Sequence, residues 1–168
     1  WGAAADMIGP PEAEVALGEL PGFAQPSVKG HTPSVRYIKK GQLNILLYLG
    51  RIHLYEGHEP PAVVHAVRTA VAAGCRTVVL TNAAGGINPG YRVGQPVLIS
   101  DHLNLTARSP LTGALPADAP SRFTDLTDLY AARLRALARE RAVLFDNVTF
   151  VEGDASALAF RDGFCDLV

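Results

Sequence analysis

The residues best suited to chemistry lie in one short stretch, residues 50–58, which reads GRIHLYEGH. Arg51, His53 and Tyr55 alternate there with the aliphatic side chains of Ile52 and Leu54. If a strand continues through this stretch, its period of two places the three polar side chains on one face. A guanidinium offers a planar fork of donors that suits phosphate, and an imidazole adds a donor, or a charge near neutral pH. The stretch therefore predicts an oxyanion site.

Glu56 follows directly and is placed to orient Arg51 or His53. A solvated strand end with an exposed Arg–Glu pair is the alternative interpretation of the same residues. The separation of aliphatic from polar positions favours the anion site over that alternative.

A second candidate lies in residues 77–86, TVVLTNAAGG. The apolar, β-branched start predicts a buried strand of a parallel or mixed sheet. The small residues that follow it, from Asn82 to Gly86, leave main-chain N–H groups open to an anion. Ligands of open α/β sheets bind just beyond the carboxyl ends of strands. A tight turn after a core strand is the alternative, because a glycine-rich turn alone is weak evidence.

Three further residue groups are isolated in the sequence. His31 lies in a loop next to Gly30, where a histidine is more often simply exposed than a ligand. Asp101 and His102 are adjacent, but no Gly-x-Ser-x-Gly turn accompanies them, so an α/β-hydrolase triad has no support. Phe123 stands in the polar stretch SRFTD, and an exposed aromatic side chain there is typical of an interface.

The elements that must position these residues are short strands and helices. The spacing predicts a hairpin of strands at 34–38 and 43–49, the second buried on both faces, then a helix at 61–73, strands at 77–80 and 96–100, and a helix at 125–141. Strand, helix and strand within residues 43–80 are consistent with a right-handed crossover. The fold class is therefore α/β.

Composition excludes several classes of protein. The chain has 168 residues, 48% hydrophobic and 18% charged, so we expect a globular domain rather than a disordered chain. A net charge of -1 argues against nucleic-acid binding, and no apolar run reaches the roughly 18 residues of a membrane span. Two cysteines make neither a disulfide framework nor a metal spacing, which favours the cytoplasm. Because the first residue is Trp1 rather than Met, we treat the sequence as part of something longer.

Five stretches resemble, in order and spacing, the trimeric-type purine nucleoside phosphorylases, and the bacterial members most closely. They are GELPGF at 18–23, GH at 30–31, GRIHLYEG at 50–57, LTNAAGG at 80–86 and VLISDHLNL at 97–105. The resemblance covers about residues 1–141. It implies a three-layer α/β/α fold, here incomplete, in which helices flank a mixed, mostly parallel sheet.

The resemblance also implies a reaction: phosphorolysis of purine ribo- and deoxyribonucleosides to the free base and ribose 1-phosphate. Inorganic phosphate is then a co-substrate, with no metal and no organic cofactor. Position by position, the phosphate ligands would be His31, Arg51, His53, Glu56 and the main-chain N–H of Ala83. Tyr55 resembles the residue that contacts the ribose. Phe123 resembles an aromatic residue that reaches into the neighbouring subunit's site, so the resemblance implies a homotrimer.

From about residue 142 the sequence no longer resembles the phosphorylases. The stretch VTFVEGDASALAFRDGFCDLV at 148–168 resembles instead the middle of a class I S-adenosylmethionine-dependent methyltransferase. Asp154 would then lie near the cofactor's adenine, but the glycine-rich loop of that family is missing, so we expect no cofactor binding. We predict a partial phosphorylase domain at 1–141 and a short, dependent tail at 142–168. Because the family's base-pocket residues are absent, we expect impaired activity. The alternatives are a non-catalytic fragment that binds only phosphate, and part of a methyltransferase fusion.

Overall fold

A computed structural model of the chain describes residues 5–24, 33–113 and 123–142. The chain divides into two compact units, residues 1–82 and residues 83–167. In its described residues, the first unit contains these strands, 3-10 turns and helices: β1 Ala13–Ala16, a turn at Leu17–Glu19, β2 Ser34–Lys40, β3 Leu43–Leu49, a turn at Leu54–Glu56, α1 Pro60–Val63 and α2 His65–Ala72. The described part of the second unit holds one helix, α3 Ala132–Ala142.

The three strands form one antiparallel sheet in the order β1-β2-β3. Strands β2 and β3 are a hairpin in register from Ser34 opposite Leu49 to Lys40 opposite Leu43, which confirms the predicted hairpin. The predicted burial of both faces of β3 is wrong, because Leu43 is 65% exposed and the end of the strand is only half-buried. Strand β3 is the edge strand of the sheet, and β2 is its ladder partner among the described residues. The centre of the unit is Ile38, which is 1% exposed.

Local hydrogen bonds move the boundaries of the predicted helices. The helix predicted at 61–73 forms as α1 and α2, which are separated at Val64. The helix predicted to begin at Asp125 begins instead at Ala132. The Asp125 carboxylate accepts hydrogen bonds from the N–H and hydroxyl of Thr127, and the Asp128 carboxylate accepts one from the N–H of Ala132. Such bonds offer the main chain an alternative to helix, which accounts for the late start.

The strands predicted at 77–80 and 96–100 are not formed within the described ranges. Val79 is 81% exposed and Leu80 is 71% exposed, so the expectation of a buried strand after α2 is wrong. The predicted crossover consequently has no second strand. The physical reason is that a strand exists only as part of a ladder, and no described segment pairs with this run. The methyltransferase-like residues after 142 lie outside the described ranges.

An ionic network ties the edge of the sheet to the start of the chain. The Ser34 hydroxyl donates to the Glu14 carboxylate, across the β1–β2 pair. The Arg36 guanidinium donates to Glu14 at 3.0 Å and to Asp6 at 2.8 Å. The Ser34 hydrogen bond, and then the hydrogen bond and charge of Arg36, hold the pKa of Glu14 below its usual value. The ionised carboxylate is therefore the form that the folded state prefers.

Glu14→Gln is expected to weaken the acid sensitivity of the first unit. A carboxyl whose pKa is lower in the folded state contributes stability above its unfolded pKa and loses that contribution as the pH falls through the folded value. Stability should therefore decline on acidification below about pH 4.5, the ordinary glutamate value, and less steeply in Glu14→Gln. Urea unfolding followed between pH 7 and pH 3 measures the slopes. Glu12→Gln, a charge removed just before β1, is the matched control, and equal slopes in both variants would contradict the prediction.

Candidate functional site

The candidate site begins where the chain leaves β3 at Gly50. Gly50 has a φ of +102°, and a Cβ built on it would lie 3.3 Å from the Cβ of Pro33. Both the positive φ and the close approach of Pro33 require glycine at this position. The turn ends the strand and directs the following residues, Arg51 and His53, away from the ladder.

The residues after Gly50 do not continue the strand as predicted. His53 is extended, but residues Leu54–Glu56 form a 3-10 turn that ends at Gly57, whose φ is +89°. The Glu56 N–H donates to the His53 carbonyl at 3.1 Å and the Gly57 N–H to the Leu54 carbonyl at 3.0 Å. These bonds close the turn and so remove the period-two alternation. One element of the prediction survives, since Ile52 is 7% exposed and its side chain lies in the core.

Glu56 fixes the main chain of this turn. Its carboxylate Oε1 accepts a hydrogen bond from the N–H of His53 at 2.8 Å, the reciprocal half of a capping box. That Glu56 orients the side chain of Arg51 or His53 stays a prediction, because this bond is to the main chain of His53. The imidazole of His53 and the phenol ring of Tyr55 stack, with centroids 4.8 Å apart and planes 12° from parallel. The turn thus brings together His53, Tyr55 and Glu56, three of the predicted site residues.

Arg51 borders a shallow hollow of the first unit. The hollow is otherwise lined by glycine and apolar residues, among them Leu17, Phe23 and Val63. Arg51 itself is partly buried. Apolar surroundings lower the local dielectric, so they strengthen the attraction between a guanidinium and an anion. Arg51 lines this hollow and His53 does not, so the binding of one oxyanion by both side chains stays a prediction.

The remaining predicted residues are not part of this turn. His31 lies outside the described residues. Ala83 is the first residue of the second unit, and residues 82–86 are all exposed. Phe123 is 85% exposed, which agrees with its interpretation as a surface aromatic. The convergence of Arg51 and the Ala83 N–H on one anion stays a prediction.

Two contacts of aromatic residues were not predicted from the sequence. In the second unit the Tyr130 hydroxyl lies 2.8 Å from Nδ1 of His102, and partial burial, with the nearby charge of Asp101, raises the pKa of Tyr130. In the first unit Phe23 packs edge-on against His65 at 4.7 Å. The two pairs, His102–Tyr130 and Phe23–His65, are 28 and 42 positions apart, so no local sequence pattern predicts these contacts.

The described ranges contain no group of three or more His, Cys, Asp or Glu side chains that could hold a metal ion. No helix in the described part of the chain has the length and apolar character needed to cross a membrane.

Comparison with known proteins gives one consistent result. A family model for the phosphorylase superfamily matches residues 7–159. The chain is similar to the purine nucleoside phosphorylases of Mycobacterium tuberculosis, 51% identical over 140 residues (83% of this chain and 50% of that protein), and of Cellulomonas sp, 50% identical over 143 residues (82% and 48%). The chain therefore spans about half the length of the curated relatives that it matches.

Solved structures agree with these relatives. The purine nucleoside phosphorylase of Schistosoma mansoni in complex with inosine aligns with a TM-score of 0.71 and 26% identity, over 83% of this chain and 52% of that one. A second structure of the same enzyme, with a monocyclic inhibitor, aligns with a TM-score of 0.74 and 25% identity, over 89% and 57%. The predicted α/β nucleoside phosphorylase fold, incomplete in this chain, is confirmed.

Glu56→Ala is expected to loosen the turn that carries His53. Loss of a capping interaction costs about 1 kcal/mol, so the His53 amide should exchange its hydrogen roughly five-fold faster. Hydrogen exchange measured residue by residue by NMR checks this. Glu56→Gln keeps an acceptor oxygen and should recover part of the protection. Glu19→Ala, at the end of the other 3-10 turn, is the control, and an unchanged exchange rate at His53 in Glu56→Ala would refute the capping role.

Proposed function

We propose a function for this chain, which belongs to the phosphorylase superfamily. The protein cleaves the N-glycosidic bond of purine nucleosides with inorganic phosphate, giving the free base and ribose 1-phosphate. The observation that carries the proposal is the turn after β3, where His53, Tyr55 and the Glu56 carboxylate lie together directly after Arg51. The similarity to enzymes named purine nucleoside phosphorylase supports the choice of reaction.

The chemistry needs an anion held still beside a developing cation. As the C1′–N bond breaks, its electron pair leaves with the purine and the sugar gains oxocarbenium character. A phosphate oxygen then forms the new bond to C1′, and the proton that hydrogen phosphate gives up balances the one that the departing purine gains. Because no covalent intermediate with the protein forms, the protein accelerates the reaction by positioning the phosphate and by preorganised charge.

Each residue of the turn has a distinct role in this proposal. The guanidinium of Arg51 and the imidazole of His53 bind the phosphate. Tyr55 contacts the ribose, and its exposure of 72% and its stacking on His53 support that role. Glu56 is a positioning residue, since it acts through the main chain of His53.

The resemblance supplies the rest of the proposed site. His31 and the N–H of Ala83 complete the phosphate contacts. Phe123, whose ring is exposed, reaches the site of a neighbouring subunit in a homotrimer. The protein acts in the cytoplasm and uses inorganic phosphate as its co-substrate, with no metal and no organic cofactor. The methyltransferase-like residues 142–168 add no activity. The match to the phosphorylase superfamily extends into this segment, as far as residue 159.

A second candidate function is phosphate binding without catalysis. It is favoured by one fact: the chain spans about half the length of the relatives that it matches. The turn after β3 is local to the first unit, so it is expected to bind an anion whether or not a purine can bind. Binding and turnover are therefore tested separately.

Arg51→Ala is expected to weaken phosphate binding by roughly ten-fold or more, because a hydrogen bond to a charged group contributes about 1.5–3 kcal/mol. Titration calorimetry with inorganic phosphate measures the change. Arg76→Ala removes an exposed arginine of the same unit and serves as the control. Equal phosphate affinity in Arg51→Ala and Arg76→Ala would remove the basis of the proposed anion site.

Release of hypoxanthine from inosine is expected only when phosphate is present, and at a lower rate per site than in the Mycobacterium tuberculosis relative. His53→Ala should lower kcat/KM further, since phosphate must be bound for the reaction to occur. Chromatographic measurement of free base, with and without phosphate, checks this. Base release that is independent of phosphate would contradict phosphorolysis. Phosphate binding with no base release would favour the second candidate function.

A further inference from the structure

The contact between Tyr130 and His102 joins two segments of the second unit that lie far apart in the sequence. The Tyr130 hydroxyl is 2.8 Å from Nδ1 of His102, and the two rings meet edge to face with centroids 5.7 Å apart. Partial burial, and then the charge of Asp101, raises the pKa of Tyr130, so its hydroxyl keeps its proton near neutral pH. A protonated hydroxyl can donate one directed hydrogen bond to Nδ1 of a neutral imidazole.

Local hydrogen bonds hold the main chain on the His102 side of the contact. The N–H of His102 donates to the Asp101 carboxylate at 2.8 Å. Two residues further on, the side-chain amide of Asn104 donates to the carbonyl of Arg108 at 2.8 Å and so closes the loop. Such side-chain bonds restrict the main chain around them, and His102 is therefore a suitable anchor.

The Tyr130 side of the contact lies at the end of a short segment that includes Phe123. Two turns form between these residues. The Asp125 carboxylate accepts a hydrogen bond from the N–H of Thr127 at 2.9 Å, and a main-chain hydrogen bond of 3.1 Å closes residues 126–129. Because turns leave the main chain few alternative conformations, the position of Phe123 depends on the position of Tyr130.

Helix α3 holds the main chain of Tyr130. The carbonyl of Tyr130 accepts a hydrogen bond from Nε of Arg135 at 2.8 Å, and the Asp128 carboxylate accepts one from the N–H of Ala132 at 2.8 Å. The main chain of Tyr130 is thus attached to α3 and its hydroxyl to His102. Two attachments in different directions fix the way in which the segment leads into the helix, which one attachment alone would not do.

We propose that the Tyr130–His102 hydrogen bond positions Phe123 and thereby sets how tightly the site of a neighbouring subunit binds a nucleoside. The inference rests on the proposed function, which assigns Phe123 to that site. Phe123 is 85% exposed, so most of its surface is available to a second subunit. Tyr130 and His102 are positioning residues, because they act through the main chain of the segment and not on the reacting atoms.

Tyr130→Phe is expected to raise the KM for inosine by roughly two- to ten-fold, the range that one uncharged hydrogen bond contributes. The kcat and the Kd for inorganic phosphate should stay unchanged, because the variant loses binding that the substrate and the transition state share. Steady-state phosphorolysis measures KM and kcat, and calorimetry measures the phosphate Kd. A contact that served stability alone would reduce the amount of folded enzyme, which lowers the apparent kcat and leaves KM unchanged.

Paired variants show whether the two side chains act together. His102→Leu should reproduce the KM of Tyr130→Phe, and the double variant should be no worse than either, since both remove the same bond. His102→Asn keeps an amide close to the position of Nδ1 and should restore most of the affinity for inosine. Tyr37→Phe is the matched control, because it removes a tyrosine hydroxyl that bonds to Asn44 at 2.7 Å in the β2–β3 hairpin.

Hydrogen exchange tests the positioning without turnover. The amides of Thr127 and Leu129 should exchange roughly two- to ten-fold faster in Tyr130→Phe, whereas the amides of the β2–β3 ladder and of α3 keep their protection and so verify folding. If the unaltered chain releases no base from inosine, the proposed function fails. Faster exchange at Thr127 and Leu129 would then still support the positioning of Phe123, and unchanged exchange would overturn it.

Three results would overturn the inference in an active enzyme. The first is a KM for inosine that stays the same in Tyr130→Phe, whatever happens to kcat. The second is additivity of Tyr130→Phe and His102→Leu in the double variant. The third is an equal change of KM in Tyr130→Phe and in the control, Tyr37→Phe.

Discussion

The contact between Gly50 and Pro33 is the constraint on which the candidate site depends. The chain leaves β3 at Gly50 with a positive φ. A Cβ placed on Gly50 would lie 3.3 Å from the Cβ of Pro33. Any side chain at position 50 would meet both obstacles. Because the turn is fixed by the main chain, the positions of Arg51 and His53 follow from backbone geometry before any of their own contacts form. The proposed phosphate ligands are therefore attached to the most regular part of the first unit, the β2–β3 hairpin.

Short-range hydrogen bonds between side chains and the main chain stabilise several turns elsewhere in the described residues. The Glu56 carboxylate holds the N–H of His53, and the carboxylates of Asp125 and Asp128 hold turns ahead of α3. A loop of the second unit follows the same rule, since the Asn104 side chain accepts from Thr106 and donates to the carbonyl of Arg108. In each case a polar side chain competes with helix or strand for the same main-chain groups, and the local bond forms.

This competition explains what sequence could and could not predict. The hairpin was predictable because its two strands are adjacent and each carries its own β-branched or apolar pattern. The chemistry of Arg51 and His53 was predictable from residue type, whereas the 3-10 turn that follows depends on a specific bond from Glu56. Residues 77–80 have the composition of a buried strand. Burial, however, requires contacts with segments distant in the chain, and the composition of residues 77–80 does not predict those contacts. His102 and Tyr130 are 28 positions apart, so no local sequence pattern predicts their contact.

The stacking of His53 on Tyr55 has a practical consequence. Two aromatic planes 4.8 Å apart and nearly parallel place each ring in the magnetic shielding zone of the other. The carbon-bound protons of the His53 imidazole should therefore resonate upfield of those of an unstacked histidine such as His58. That displacement would give the turn after β3 an intrinsic spectroscopic label, sensitive to any solute that slides between the rings or tilts one of them.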